Sequence, residues 1–171
     1  MRERDCRGFT LIELLIVIGL AAIVLAMALP SFVDSMRSNR VATTTNLTLA
    51  TLSYARSEAL RSRSTATVCP RGAGDASCGS DWGRGMLVWT DDNRNERLDA
   101  TEVRRLVEPA HGTLIAAGFD AVAFDHRGRS TATAARQFAL KPDTCKSGSA
   151  NVRTVSVSLT GQIDMQRGQC P

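Results

Sequence analysis

Positions 11 to 29 are apolar without interruption except at Glu13, with Gly19 counted as neutral. As a helix rising ~1.5 Å per residue, that run reaches about 28 Å, close to the thickness of a bilayer core. Pro30 then removes a backbone donor and is expected to bend the helix rather than end it, because a second helical pattern follows. Val41, Thr45, Thr48, Leu52, Ala55 and Ala59 recur three or four residues apart. They make a single stripe suited to packing on a sheet. Arg40, Asn46, Ser53, Arg56 and Arg61 fall on the opposite face, and Glu58 stands at helix-neighbour spacing from Arg61.

Beyond Ser64 the pattern changes to short β-type runs separated by Gly, Pro, Asp and Asn. These are TATVC, GMLVWT, VRRLV, DAVAFD, RQFAL, VRTVSVSL and QIDMQ. Seven strands at that spacing predict an antiparallel sandwich or a pair of sheets. In the sixth run Val155, Val157 and Leu159 share one face. A sharp turn at Thr160 and Gly161 should make the last two strands a hairpin. The expected class is α+β: a long N-terminal helix, apolar in residues 11–29 and amphipathic in residues 30–64, packed on an antiparallel, sandwich-like head of residues 65–171.

Composition is that of a foldable chain, with 43% apolar and 22% charged residues among 171. Twenty-one basic and seventeen acidic side chains leave +4, and the arginines are spread rather than clustered. Such a charge does not argue for nucleic acid. Ahead of the apolar run Arg2, Arg4 and Arg7 outweigh Glu3 and Asp5, which keeps the N-terminus cytoplasmic and sends everything after Pro30 outside. Cys6 precedes the run; Cys69, Cys78, Cys145 and Cys170 follow it, so the exported part holds an even four. Pairing sequence neighbours closes the shortest loops, but four cysteines allow three connectivities. None of their spacings is a zinc pattern. A secretory signal peptide cleaved after the AMA at residues 26–28 would instead release a soluble secreted binding module. The run is longer than such segments usually are, and it holds a carboxylate.

Glu13 raises the main chemical question. An ionised carboxylate in hydrocarbon costs about 3 kcal/mol even on the lenient insertion scale, and such groups generally have a partner. A second candidate is DDNRNERLDATE. Counted from Asp91, oxygen-bearing side chains fall at Asp91, Asn93, Asn95, Asp99 and Glu102, the first, third, fifth, ninth and twelfth places of a calcium loop, with Leu98 at the apolar eighth. The sixth is Glu96, where such loops place glycine, so the competing reading is an Asp and Asn rich hairpin loop. No other cofactor is expected. His111 and His126 sit in turn-like contexts without a nucleophile motif, and no enzymatic activity is expected. Trp82 and Trp89 are read as core fillers, with Gly83 and Gly85 permitting a tight approach to the strand.

The segment RGFTLIELLIVIGLAAIVLAMALP resembles the N-terminus of type IV pilins and type II secretion pseudopilins: a basic leader, a glycine, an aromatic, an acid four residues on, and a proline closing the run. The resemblance implies that residues 1–8 are a leader removed by a prepilin peptidase after Gly8, that the new amine of Phe9 is methylated, and that residues 9–29 form the transmembrane helix. The Phe9 ammonium would then lie about one turn from Glu13 and supply the missing cation. In a filament that cation would belong to a neighbouring subunit, and the charge would reward one axial offset. YARSEALRSR, residues 54–63, and CPRGAGDASCGSDWGRGMLVWTDDNRNERLD resemble the FimT and GspH group of minor pilins and pseudopilins.

That resemblance implies assembly or initiation of a type IV pilus or a type II secretion pseudopilus. The implied partners are other pilins or pseudopilins through helix bundling, the prepilin peptidase and the bacterial inner membrane, with the head in the periplasm. Some FimT-like minor pilins bind DNA for uptake through a glycine, arginine, any residue, arginine motif in the C-terminal hairpin. Here GQID stands in that place. Gln162 and Asp164 replace both arginines, and Asp164 would repel phosphate. Arg127 and Arg129, in HRGRS, form a different basic turn and the remaining candidates for DNA.

Overall fold

The computed structural model describes residues 9–74, 76–108 and 113–171. The basic leader with Cys6 and Gly8, and His111, lie outside the described residues. Helix α1 runs from Leu11 to Ser62 and contains Pro30. The chain divides into two compact units between Met36 and Arg37.

In the first unit the apolar side chains are exposed all round the helix, from Phe9 at 85% to Leu29 at 57%. It is long and apolar enough to cross a membrane, and none of its apolar window is buried. A surface of this kind is stable in lipid or against other helices rather than in water.

In the second unit the helix is a packing element. Val41, Thr45, Thr48, Leu52, Ala55 and Ala59 are all buried, as their spacing predicts. Four threonines lie in or beside this stripe, and burying a hydroxyl is costly without a partner. Thr44, Thr45, Thr48 and Thr51 each donate to the carbonyl four residues back, at 2.7–2.9 Å. The hydroxyls are therefore satisfied within the helix, and the face presented to the sheets is mostly methyl. On the opposite face Arg40, Asn46, Ser53 and Arg61 are exposed. Arg56 departs from the expectation: it is half-buried and donates from Nε to the carbonyl of Gly128 at 2.9 Å.

The described part of the head holds eight strands, all pairing antiparallel: β1 (Thr65–Pro70), β2 (Met86–Asp91), β3 (Val103–Val107), β4 (Thr113–Ala117), β5 (Val122–Phe124), β6 (Arg136–Pro142), β7 (Val152–Val157) and β8 (Ile163–Gly168). They form two four-stranded sheets, ordered β3-β2-β1-β5 and β4-β6-β7-β8. The fold is the α+β arrangement that the sequence predicts, with seven of the strands anticipated. The eighth, β4, carries two alanines and no alternation, so nothing local marks TLIAA as a strand. Its five pairings with β6 supply the reason it forms.

The core lies between helix and sheets and includes Val68, Val88, Phe124, Phe138, Leu140 and Val155. Trp82 sits among them, edge-on to Phe138 at 4.8 Å and to Phe119 at 5.8 Å, with its indole N–H donating to the carbonyl of Phe119 at 3.0 Å. Trp89 belongs to a second cluster with Cys69 and Leu87. Period-2 alternation puts Met86 and Val88 on one face of β2 and Leu87 and Trp89 on the other, so this strand is buried on both sides. Both tryptophans therefore fill cores. Leu159 corrects the expected alternation: β7 ends at Val157, and Leu159 is 46% exposed in the turn. The disulfides are Cys69–Cys78 and Cys145–Cys170, which resolves the connectivity.

Candidate functional site

The start of α1 is built by Thr10. Its Oγ1 accepts the N–H of Glu13 at 3.3 Å, and its carbonyl accepts the N–H of Leu14 at 3.1 Å. A hydroxyl in that place satisfies one of the donors that a helix start leaves unpaired. Glu13 thus stands in the first turn, where the helix dipole favours an anion. Between Phe9 and Val33 it is the one charged side chain. Sequence reasoning missed Thr10, although threonine followed three residues later by glutamate is a recognised start signal. Phe9 lies just ahead of the helix, so the two positions expected to carry the amine and the acid are at the same helix end.

The far end of α1 is tied to the first sheet by charge. Glu58, only 6% exposed, accepts from Arg61 Nε at 3.1 Å, and Arg104 on β3 brings its Nε to 4.0 Å from the same carboxylate. Arg104 also donates to Thr90 Oγ1 at 2.7 Å and pairs with Asp92. The hydrogen bond from Arg61 holds the Glu58 carboxyl below its ordinary range, against the opposing effect of burial. The helix spacing announced Arg61, whereas Arg104 reaches Glu58 only through sheet pairing.

In the candidate calcium loop, Glu96 takes the left-handed backbone, φ 59°, that glycine would otherwise supply. The turn therefore forms without glycine. The oxygens, however, serve the loop itself. Asp91 accepts the N–H groups of Asn95 and Glu96, and Glu102 accepts those of Asp92, Asn93 and Asp99. Asn93 and Asn95 turn their amide nitrogens toward Asp99, at 2.8 and 3.2 Å. Among the described residues no group of three or more His, Cys, Asp or Glu side chains is placed to hold a metal. The arrangement is that of a self-bonded hairpin loop.

The HRGRS turn is likewise held by its own acid. Asp125 accepts the backbone N–H groups of Arg127 and Arg129 at 2.9 and 2.8 Å, leaving both arginine side chains exposed. In the C-terminal hairpin Gln162 donates to Asp164 at 3.2 Å. A carboxylate at that tip opposes phosphate binding.

Residues 44–161 match the profile of the family described as type II transport protein GspH, and residues 4–29 match the prokaryotic N-terminal methylation motif. Among solved structures the chain is similar to the type IV minor pilin FimU of Pseudomonas aeruginosa. One crystal form has 20% identity and a TM-score of 0.56, covering 77% of this chain and 95% of that one. A second has 20% identity and a TM-score of 0.51, covering 71% and 91%. At that identity the likeness concerns the fold. Compared with curated protein sequences, the chain has no significant match.

Proposed function

Because the chain belongs to the family of type II transport protein GspH, we propose that it is a minor pilin or pseudopilin subunit that assembles with other pilins or pseudopilins, by helix bundling, into a type IV pilus or a type II secretion pseudopilus. Residues 9–29 hold it in the bacterial inner membrane, with the head in the periplasm. Two disulfides in that head suit an oxidising compartment. A prepilin peptidase cuts after Gly8 and methylates the amine of Phe9, and no catalytic role is assigned to the subunit itself.

The observation that carries this reading is the place of Glu13: a lone carboxylate in the otherwise apolar, exposed first segment of the helix, four residues after Phe9. In hydrocarbon it needs a cation, and cleavage creates one on the same helix end. In a bundle of such helices the amine of one subunit can answer the acid of the next, so burial of the charges is tolerated at one stagger and penalised at others.

Mass spectrometry of the chain from cell envelopes tests it. The expected mature protein starts at Phe9 and carries one added methyl group on its amine. A chain that keeps Met1, or one that starts at Leu29, would overturn the reading.

A further inference from the structure

Strand β8 is the edge of the second sheet and, among the described residues, pairs only with β7. At the turn, Ser158 donates its N–H to the carbonyl of Gln162 at 2.9 Å. Antiparallel pairs alternate from that point, which directs the backbone groups of Asp164 and Gln166 toward β7 and those of Ile163, Met165 and Arg167 toward the open edge. The side chains of Ile163, Met165 and Arg167 share one face with their cross-strand partners Val157, Val155 and Arg153.

On β7 that face is core: Val155 and Val157 are fully buried and Arg153 is 8% exposed. On β8 Ile163 is half-buried against that core, and beyond it the face lies open, with Met165 38% exposed and Arg167 exposed as well. A groove of about 380 Å³ adjoins it, lined by Ser53, Arg56, Ser57, Leu60, Gln162 and Ile163.

The charges on this ledge are unbalanced. Arg153 donates from Nη1 to the carbonyls of Ala150 and Val152, at 3.0 and 3.1 Å, and no carboxylate among the described residues bonds it. Its cross-strand neighbour is Arg167, in a pair of the closer, non-hydrogen-bonded kind. Burial first, and Arg167 second, hold the Arg153 guanidinium pKa below the usual arginine range. A like-charge pair in that register is destabilising and is relieved by an anion beside the exposed Arg167.

We propose that the open edge of β8 docks an extended segment of another protein subunit, which adds a strand to the sheet, sets a carboxylate side chain against Arg167, and lays an apolar side chain two residues away over Met165. The free backbone edge and exposed methionine suit a peptide strand, and the Asp164 carboxylate on the other face of β8 would oppose a phosphate backbone. This edge belongs to the head and not to the helix bearing Glu13, so failure here would leave the membrane-segment pairing untouched.

Full-length protein labelled with nitrogen-15 in detergent micelles can be titrated with capped seven-residue peptides of alternating threonine and valine, one carrying a central glutamate and one a central lysine. The glutamate peptide is expected to shift the amides of Met165 and Arg167 and to bind roughly fivefold more tightly than the lysine peptide. Arg167→Glu, at an exposed position, should reverse the preference while leaving the amide spectrum away from β8 unchanged. Methylating the peptide backbone nitrogens should abolish binding. Equal affinity for the two peptides, binding that survives backbone methylation, shifts confined to other strands, or no binding would each overturn the proposal. So would stronger shifts of the same amides by a duplex DNA oligonucleotide, which would mark the ledge as a nucleic-acid site.

Discussion

Arg56 on the helix and Gly128 in the turn after β5 meet through a 2.9 Å hydrogen bond spanning 72 residues of sequence. Gly161, in the hairpin turn before β8, closes on the same point. A Cβ placed on it would stand 1.9 Å from the Gly128 carbonyl oxygen and 3.2 Å from Arg56 Nε. Three distant segments therefore lock at one place near the end of the helix.

Gly161→Ala is expected to destabilise the head by about 2–4 kcal/mol, because its left-handed φ of 78° disfavours a side chain and the contact with Gly128 leaves no room for one. Arg56→Met, which keeps much of the stem, should cost about 1–2 kcal/mol by leaving the Gly128 carbonyl without its donor. Denaturant unfolding of the full chain in micelles, followed by tryptophan fluorescence, measures both. A Gly161→Ala protein as stable as the parent would contradict the close approach.

Acid should loosen the junction of helix and first sheet. The Glu58 carboxyl is held below its ordinary value of 4.5, chiefly by the Arg61 hydrogen bond. A depressed folded pKa means stability that is fully present above the unfolded value and is lost as pH falls through the folded one. The stability gap between the parent and Glu58→Gln should therefore be constant near neutrality and narrow as pH drops below about 4.5. Melting curves between pH 7 and pH 3 test this, and a gap independent of pH would remove Glu58 from the account.

Glu13→Leu should leave membrane insertion intact, since it only lengthens the apolar run. Incorporation into filaments should fall, because the acid that answers a neighbour's amine is gone. Comparing envelope and sheared-filament fractions by immunoblot separates the two steps. Equal incorporation of variant and parent would show that the charge does not set the stagger.

The buried threonines and leucine of the stripe should respond differently. Leu52→Ala opens a cavity in the core and is expected to cost about 3 kcal/mol. Thr48→Val removes a hydroxyl bonded to the Thr44 carbonyl, an oxygen that the helix ladder already uses, so the change should stay within about 1 kcal/mol. A large loss at Thr48 would mean that its hydroxyl serves something beyond its own helix.

Removing the Cys145–Cys170 bridge by serine at both positions should cost about 3 kcal/mol, because it closes a loop with a sequence separation of 25 and anchors the segment after β8. The Cys69–Cys78 bridge, with a separation of 9, should cost less. Urea midpoints of the two double variants give the order, and the reverse order would point to strain at one bridge.

Much of the molecule was legible in local pattern. A helix repeats every 3.6 residues and a strand every two, so the buried stripe from Val41 to Ala59 and seven of the eight strands could be read before any contact was known. The lone acid in an apolar run was equally visible, since a charge in hydrocarbon stands out against everything around it. Thr10 was legible too and was overlooked.

What escaped depends on residues far apart in sequence. TLIAA becomes β4 because β6 offers it a ladder, and the bond from Arg104 to Thr90 and its approach to Glu58 follow from the register of β3 against β2. In DDNRNERLDATE the contacts of Asn93 and Asn95 with Asp99 depend on how the loop folds back on itself, which residue order does not announce. Local sequence sets backbone period and side-chain chemistry; the folded chain sets which of those side chains meet, because pairing and burial are properties of neighbours that only tertiary structure supplies.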